Sequence, residues 1–185
     1  MLFVEKLYSL YLRHFFGNKT DRPIYQEIYN ARVRKIVELE LDDCQRAIRM
    51  IEIAKTASPN TTIHYVALDR FEDRDERYAE VVLTLKGAYR LFKTTGALVQ
   101  LLPGNPPEVL PKAANFLGKT DLLLLPEEPA SEAWGRMWFF VPRLLHPQTL
   151  VFVKRKTPDG KTIFTRKTHA EIEQLAYGGT KHRAA

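Results

Sequence analysis

Arg34-Lys35-Ile36-Val37-Glu38-Leu39-Glu40-Leu41-Asp42-Asp43, continued by Cys44-Gln45-Arg46-Ala47-Ile48-Arg49-Met50-Ile51-Glu52-Ile53-Ala54-Lys55, is the stretch that decides how this chain is read. Its first half has the pattern of a short strand, and its second that of a helix with an apolar stripe. Leu41, Asp42 and Asp43 make the turn between them. A strand, a tight turn and a helix N-terminus, in that order, is where an open α/β sheet holds a small ligand. A nucleotide-binding turn ordinarily carries glycine. This one carries acids.

Working outward, the same alternation repeats. Upstream, Ile24 to Ala31 reads as a short helix, and residues 2–16 carry apolar groups at 3, 4, 7, 8, 10, 11 and 15, a helical spacing with a wide apolar face. Downstream, the helix from Asp43 to Thr56 is followed by a strand at 62–68 that ends on Asp69. A charged loop spans 70–80, and a helix from Leu83 to Thr94 is closed by Gly96. The strand 97–102 ends at Pro103-Gly104-Asn105, and the helix Pro107 to Leu117 ends at Gly118. Asp121 to Leu125 is a nearly all-apolar strand, as suits the buried centre of a parallel sheet. An aromatic-rich helix from Ser131 to Leu145, open to a break at Pro142, precedes a fifth strand at 149–153. Thr157-Pro158-Asp159-Gly160 then turns the chain into an antiparallel hairpin partner at 161–166. His169 to Tyr177 allows a last helical turn or two, before a loose tail from 178.

The pattern predicts an α/β fold: a mostly parallel sheet of about five strands, helices on both faces, and one antiparallel hairpin strand at an edge. The expected organisation is an N-terminal helical extension at 1–32, the α/β domain at 33–168, and a short helix and tail at 169–185. With 185 residues, 45% of them hydrophobic and 27% charged, the chain is long enough for one well-buried core. The longest apolar runs are far too short to cross a bilayer, and Glu5, Lys6 and Arg13 break up the first segment. Cytoplasm is the expected compartment. Cys44 is the only cysteine, which excludes an internal disulfide and a thiolate metal cluster. The five histidines are scattered, and the three serines lie outside any nucleophile-elbow context. The net charge of +6 is spread over small clusters with no aromatic among them, which favours a solvated basic surface over nucleic-acid binding.

From about residue 33 to about 165 the order of segments resembles the class I S-adenosylmethionine-dependent methyltransferases. The resemblance rests on Ile36-Val37-Glu38-Leu39, Tyr65-Val66-Ala67-Leu68-Asp69, Gln100-Leu101-Leu102-Pro103-Gly104-Asn105, Thr120 to Leu125, and the stretch from Trp138 to Val151. It implies S-adenosylmethionine as cofactor. Glu38 matches the acid that ends the first strand, and Asp69 the acid that would accept hydrogen bonds from two ribose hydroxyls. The resemblance implies a place beside the adenine for Asn105, with Gly104 before it also among the cofactor-binding residues. Glu127 and Glu128 fall near the meeting point of donor and acceptor, where one could serve as a base. The family's three loop glycines are replaced here by Glu40, Asp42 and Cys44. Glycine suits those positions because the backbone must turn sharply and let the ligand approach without a Cβ in the way.

Bland readings stand beside these. Asp69 reads equally as a turn or cap acid, and Glu38 as an acid paired with a nearby cation. Glu40, Asp42, Asp43, Asp69, Glu72, Asp73, Glu127 and Glu128 make either an acidic mouth, suited to a cation or an amine, or a set of separate solvated acids. Trp134, Trp138, Phe139 and Phe140 line an acceptor pocket or belong to the core. Three functions follow: a methyltransferase-like protein, degenerate and inactive or still using S-adenosylmethionine, with a small-molecule ligand; a non-catalytic binding or scaffolding domain with the N-terminal helix as a homodimer or partner surface; and a nucleic-acid-associated protein using the dispersed basic clusters.

Overall fold

The structure, a computed structural model, describes residues 19–41, 44–74, 83–126, 132–159 and 162–181. The apolar segment 2–16, Asp42, Asp43, Glu127, Glu128 and residues 182–185 lie outside the described residues.

Six helices and six strands follow one another among the described residues: α1 (Arg22–Ala31), β1 (Lys35–Leu39), α2 (Cys44–Ala57), β2 (His64–Asp69), α3 (Leu85–Lys93), β3 (Leu98–Pro103), α4 (Pro106–Leu117), β4 (Thr120–Leu125), α5 (Glu132–Met137), β5 (Leu145–Lys156), β6 (Thr162–Lys167) and α6 (His169–Lys181). The strand order is β3-β2-β1-β4-β5-β6. Every neighbouring pair is parallel except β5 and β6. The antiparallel hairpin at one edge is the arrangement the sequence pattern predicts. The order reverses between β1 and β4, so the crevice of the sheet opens above those two strands.

Alternation within each strand feeds two cores. Ile36, Tyr65, Ala67, Leu122, Leu124, Leu150 and Phe152 pack beneath α1, α2 and α3. Val37, Leu39, Val66, Leu68, Leu123, Leu125, Val151 and Val153 pack beneath α4, α5 and α6. A strand buried on both faces has no polar face to alternate with, which is why Leu122 to Leu125 of β4 form an apolar run. α2 places Ala47, Met50, Ile51 and Ala54 on one side, the i, i+3, i+4, i+7 spacing of an amphipathic helix. α4 starts on Pro106, whose missing N–H costs nothing in a first turn, and ends at Gly118 with φ of 64°.

The boundaries move in four places. The aromatic helix stops at Met137, and Trp138–Leu144 continues as a 3-10 segment, since Pro142 has no N–H to keep an α-helical ladder running. β5 starts at Leu145, ahead of His146-Pro147 rather than after it. The final helix is longer than a turn or two and runs to Lys181, carrying part of the expected tail with it. Gly96 also sits two residues beyond the cap of α3, which is Thr94.

At the amino end of the sheet, Asp121 ties three strands together. Its Oδ2 accepts from the amides of Arg34 at 2.8 Å and Lys35 at 2.9 Å, and its Oδ1 lies 3.0 Å from His146 Nε2. Gln148 N donates to His146 Nδ1 at 3.2 Å, which leaves Nε2 as the ring nitrogen that donates. Burial works against the Asp121 carboxylate. The two amides and the His146 ring outweigh it and hold the pKa below the ordinary carboxylate value.

Candidate functional site

The carboxyl ends of β1, β2 and β3 bring Glu40, Asp69, Gly104 and Asn105 together. Glu40 N donates to Leu68 O at 2.9 Å, and Gly104 N donates to Asp69 O at 2.8 Å. Leu39 pairs with Leu68, so Asp69 lies next to the end of the Glu38 strand, where the resemblance requires it. Glu40 adopts a left-handed backbone, φ 59°, so a side-chain-bearing residue makes a turn ordinarily given to glycine. Gly104 has φ of 126°, and a Cβ there would meet Val109 Cγ2 at 2.8 Å. The shape of the turn into α4 accounts for that glycine without any ligand.

Asp69 is 2% exposed, and its carboxylate is fully engaged by its own chain. Oδ2 accepts from Leu41 N at 2.6 Å and from Arg74 Nη2 at 2.6 Å. Oδ1 accepts from Phe71 N at 2.7 Å and from Arg74 Nε at 2.8 Å. A carboxylate has about four lone-pair directions. All four are taken. Arg74 also donates to Leu41 O, so one guanidinium joins the turn after β1 to the turn after β2. Phe71 holds this second turn down: it is fully buried in the core with a left-handed φ of 49°.

Glu38 lies one layer deeper, 1% exposed. Arg46 Nη2 donates to its Oε1 at 2.6 Å and the Tyr65 hydroxyl to its Oε2 at 2.6 Å. The Arg46 guanidinium stacks 5.2 Å from the centre of the Phe164 ring. Burial, reinforced by the Glu38 charge, raises the Tyr65 pKa well above its ordinary value and keeps the phenol a donor. Two charges so far from water are tolerated only when paired, and here Glu38 and Arg46 pair with each other at 2.6 Å.

Asn105, at the N-cap position of α4, accepts from Arg70 Nε at 3.2 Å and Nη2 at 2.8 Å, and donates to Glu108 Oε1 at 2.9 Å. Glu72 accepts from Leu85 N at 2.9 Å. Of the four described acids of the expected mouth, two serve the fold: Asp69 is buried against Arg74, and Glu72 holds the start of α3. Among the described residues no group of three or more His, Cys, Asp or Glu side chains is placed to hold a metal ion. Trp134 and Trp138 are buried in the core, while Phe139 and Phe140 stack edge to face beside Arg143. Cys44 is half-buried against the core.

Three residues that define this site escape a reading of the sequence: Arg46, Tyr65 and Arg74. Arg46 does leave a trace, since a cation directly beside the apolar stripe of α2 needs a buried partner. Arg74 is one of several charges in its loop, and nothing local marks it out.

No family profile and no curated protein matches this sequence. The fold matches solved structures. It resembles the O-methyltransferase from Bacillus cereus, determined in complex with SAH, with a TM-score of 0.55 and 11% identity, covering 100% of this chain and 79% of that one. It also resembles the O-methyltransferase TomG from Streptomyces achromogenes, involved in tomaymycin synthesis and determined in complex with SAM, with a TM-score of 0.53 and 11% identity, covering 98% and 78%. The chain has the Rossmann-like fold of the class I S-adenosylmethionine-dependent methyltransferases. No helix among the described residues is long and apolar enough to cross a membrane.

Proposed function

We propose that this chain is a methyltransferase-fold domain that no longer takes the methyl donor, and that it works by binding a partner rather than by methyl transfer. The observation that carries this reading is the saturated Asp69 carboxylate: a ribose diol would have to displace Arg74, with no acceptor site otherwise open to it. Two further features support it. Glu40 puts a side chain on a turn where the fold's ligand needs clearance. Glu38 is spent on Arg46 and Tyr65.

Isothermal titration of the full chain with S-adenosylmethionine and S-adenosylhomocysteine tests this. The expected result is no heat of binding up to about 1 mM ligand, where even the weakest useful complex is worth roughly 4 kcal/mol. A micromolar Kd for either compound would overturn the reading and restore methyl transfer as the function to pursue.

A further inference from the structure

The two edges of the sheet are finished very differently. The β6 edge carries Arg166 and Lys167, Arg166 reaches Glu27 at 3.2 Å, and the turn at Lys19–Asp21 packs on it. Charged residues on an edge strand are a common guard against pairing with another chain. β3, Leu98-Val99-Gln100-Leu101-Leu102-Pro103, has no charged residue, and no described strand lies beyond it.

The ladder shows which of its backbone groups are turned outward. Leu98 N donates to Ile63 O at 2.9 Å and Gly104 N to Asp69 O at 2.8 Å. In a parallel ladder alternate residues bond to one side, so the amides and carbonyls of Val99 and Leu101 face away from β2. Pro103 has no N–H to offer and ends the run.

The surroundings of this edge are apolar and basic. Four of the seven large hydrophobic residues exposed among the described residues are Tyr89, Leu91, Leu98 and Phe116, all on α3, β3 or α4. α3 lies against β3, and from Leu83 to Pro107 the chain carries Lys86, Arg90 and Lys93 with no acidic residue. A groove of about 380 Å³ at the amino ends of β1, β2 and β3 reaches the first residues of this strand and is lined by Lys35, His64, Val66, Leu98 and Phe116 among others.

We propose that the β3 edge is a docking site for an extended acidic peptide, which adds a seventh strand to the sheet through Val99 and Leu101. Backbone pairing supplies the register, Leu98 and Phe116 take alternate apolar side chains, and Lys86, Arg90 and Lys93 meet the intervening acids. A second copy of this chain is a poorer occupant, because it would set the same cations against each other. The inference does not depend on the state of the cofactor site: Asp69 meets only the far end of the strand, at Pro103 and Gly104, while the pairing groups proposed here are the outward ones of Val99 and Leu101.

The test uses a fluorescein-labelled eight-residue peptide alternating glutamate and valine, its lysine–valine counterpart, and the full chain. Fluorescence polarisation is expected to show saturable binding of the acidic peptide and about tenfold or more weaker binding of the basic one. The exposed-surface variant Lys86→Glu/Arg90→Glu/Lys93→Glu is expected to reverse that preference while keeping the wild-type circular dichroism spectrum. Hydrogen exchange followed by NMR is expected to slow at Val99 and Leu101 on peptide addition, with Leu98 unchanged. No binding of the acidic peptide at millimolar concentration overturns the proposal, and so does binding that leaves the Val99 and Leu101 amides unprotected. Those two amides already being protected in the free chain overturns it too. If removing residues 1–18 then exposes them, the occupant is the chain's own N-terminal segment. If dilution exposes them as the mass by light scattering halves, the occupant is a second copy.

Discussion

Asp69 and Asp121 stand at opposite ends of the same sheet and are bonded in the same way. Each accepts two backbone amides from neighbouring segments, Leu41 and Phe71 for Asp69, Arg34 and Lys35 for Asp121. Each then receives one cationic or ring side chain, Arg74 or His146. The amino end of a parallel sheet is not where such folds bind ligands, so Asp121 shows what a purely structural carboxylate looks like here. Asp69 sits at the ligand end and has the same bonding pattern, only more deeply buried. The two differ in burial, 2% against 35% side-chain exposure, and that difference sets how much each contributes.

The largest effect expected is that of Asp69→Ala. Removing this carboxylate strands a part-buried guanidinium and two turn amides, and breaking buried pairs of this kind costs about 3–5 kcal/mol. Urea denaturation should show a loss near the lower end of that range, because Arg74 retains some contact with water. A carboxylate held ready for a ligand would behave differently, since such groups are often neutral or destabilising in the free protein. Glu38→Gln comes next, at about 3 kcal/mol, because it leaves Arg46 charged and buried without its counter-ion.

Asp121→Ala is expected to cost only about 1.5 kcal/mol, the lower end of the range for hydrogen bonds to a charged group, because the side chain is part-exposed. It also carries a pH signature. The folded pKa of Asp121 is depressed below its unfolded value of 3.8, so its contribution is fully present above that value and is lost as pH falls below it. The stability gap between wild type and Asp121→Ala should therefore be constant at neutral pH and narrow below about pH 4 in acid titrations. The smallest effect is that of Glu40→Gly, which relieves the left-handed strain at φ 59° and should raise stability by about 0.5 kcal/mol by the same urea measurement.

Much of the sheet was legible in the sequence because it depends on local periodicity. The apolar run Leu122 to Leu125 of β4, the acid ending β2 and the turn at Pro158-Asp159 before β6 each declare their place without knowledge of distant partners. The aromatic segment after β4 misleads because apolar spacing over 131–145 fits either helix type, and Pro142 settles the matter only through its missing N–H. The site was legible in position and not in state. Glu38, Glu40, Asp69, Gly104 and Asn105 do fall at the carboxyl ends of β1, β2 and β3, as the spacing of strand ends dictates. The side-chain partners of Asp69 and Glu38 come from 5 to 27 residues away in sequence, Arg74 to Asp69 and Tyr65 to Glu38. Side-chain pairing at that range depends on how loops fold back, which no periodicity encodes. Arg74 sits among several charged residues in the sequence and is distinguished only by where Phe71 anchors the turn at Phe71–Asp73.

The claim that Asp69 is an internal staple is tested most directly by a double-mutant cycle on Asp69 and Arg74, using Asp69→Ala, Arg74→Ala and the double variant in urea denaturation. The account predicts a coupling energy of about 2 kcal/mol, toward the upper part of the range for residues in direct contact. A coupling below about 0.5 kcal/mol, the level of independent sites, would contradict it and return Asp69 to the list of carboxylates available to a ligand.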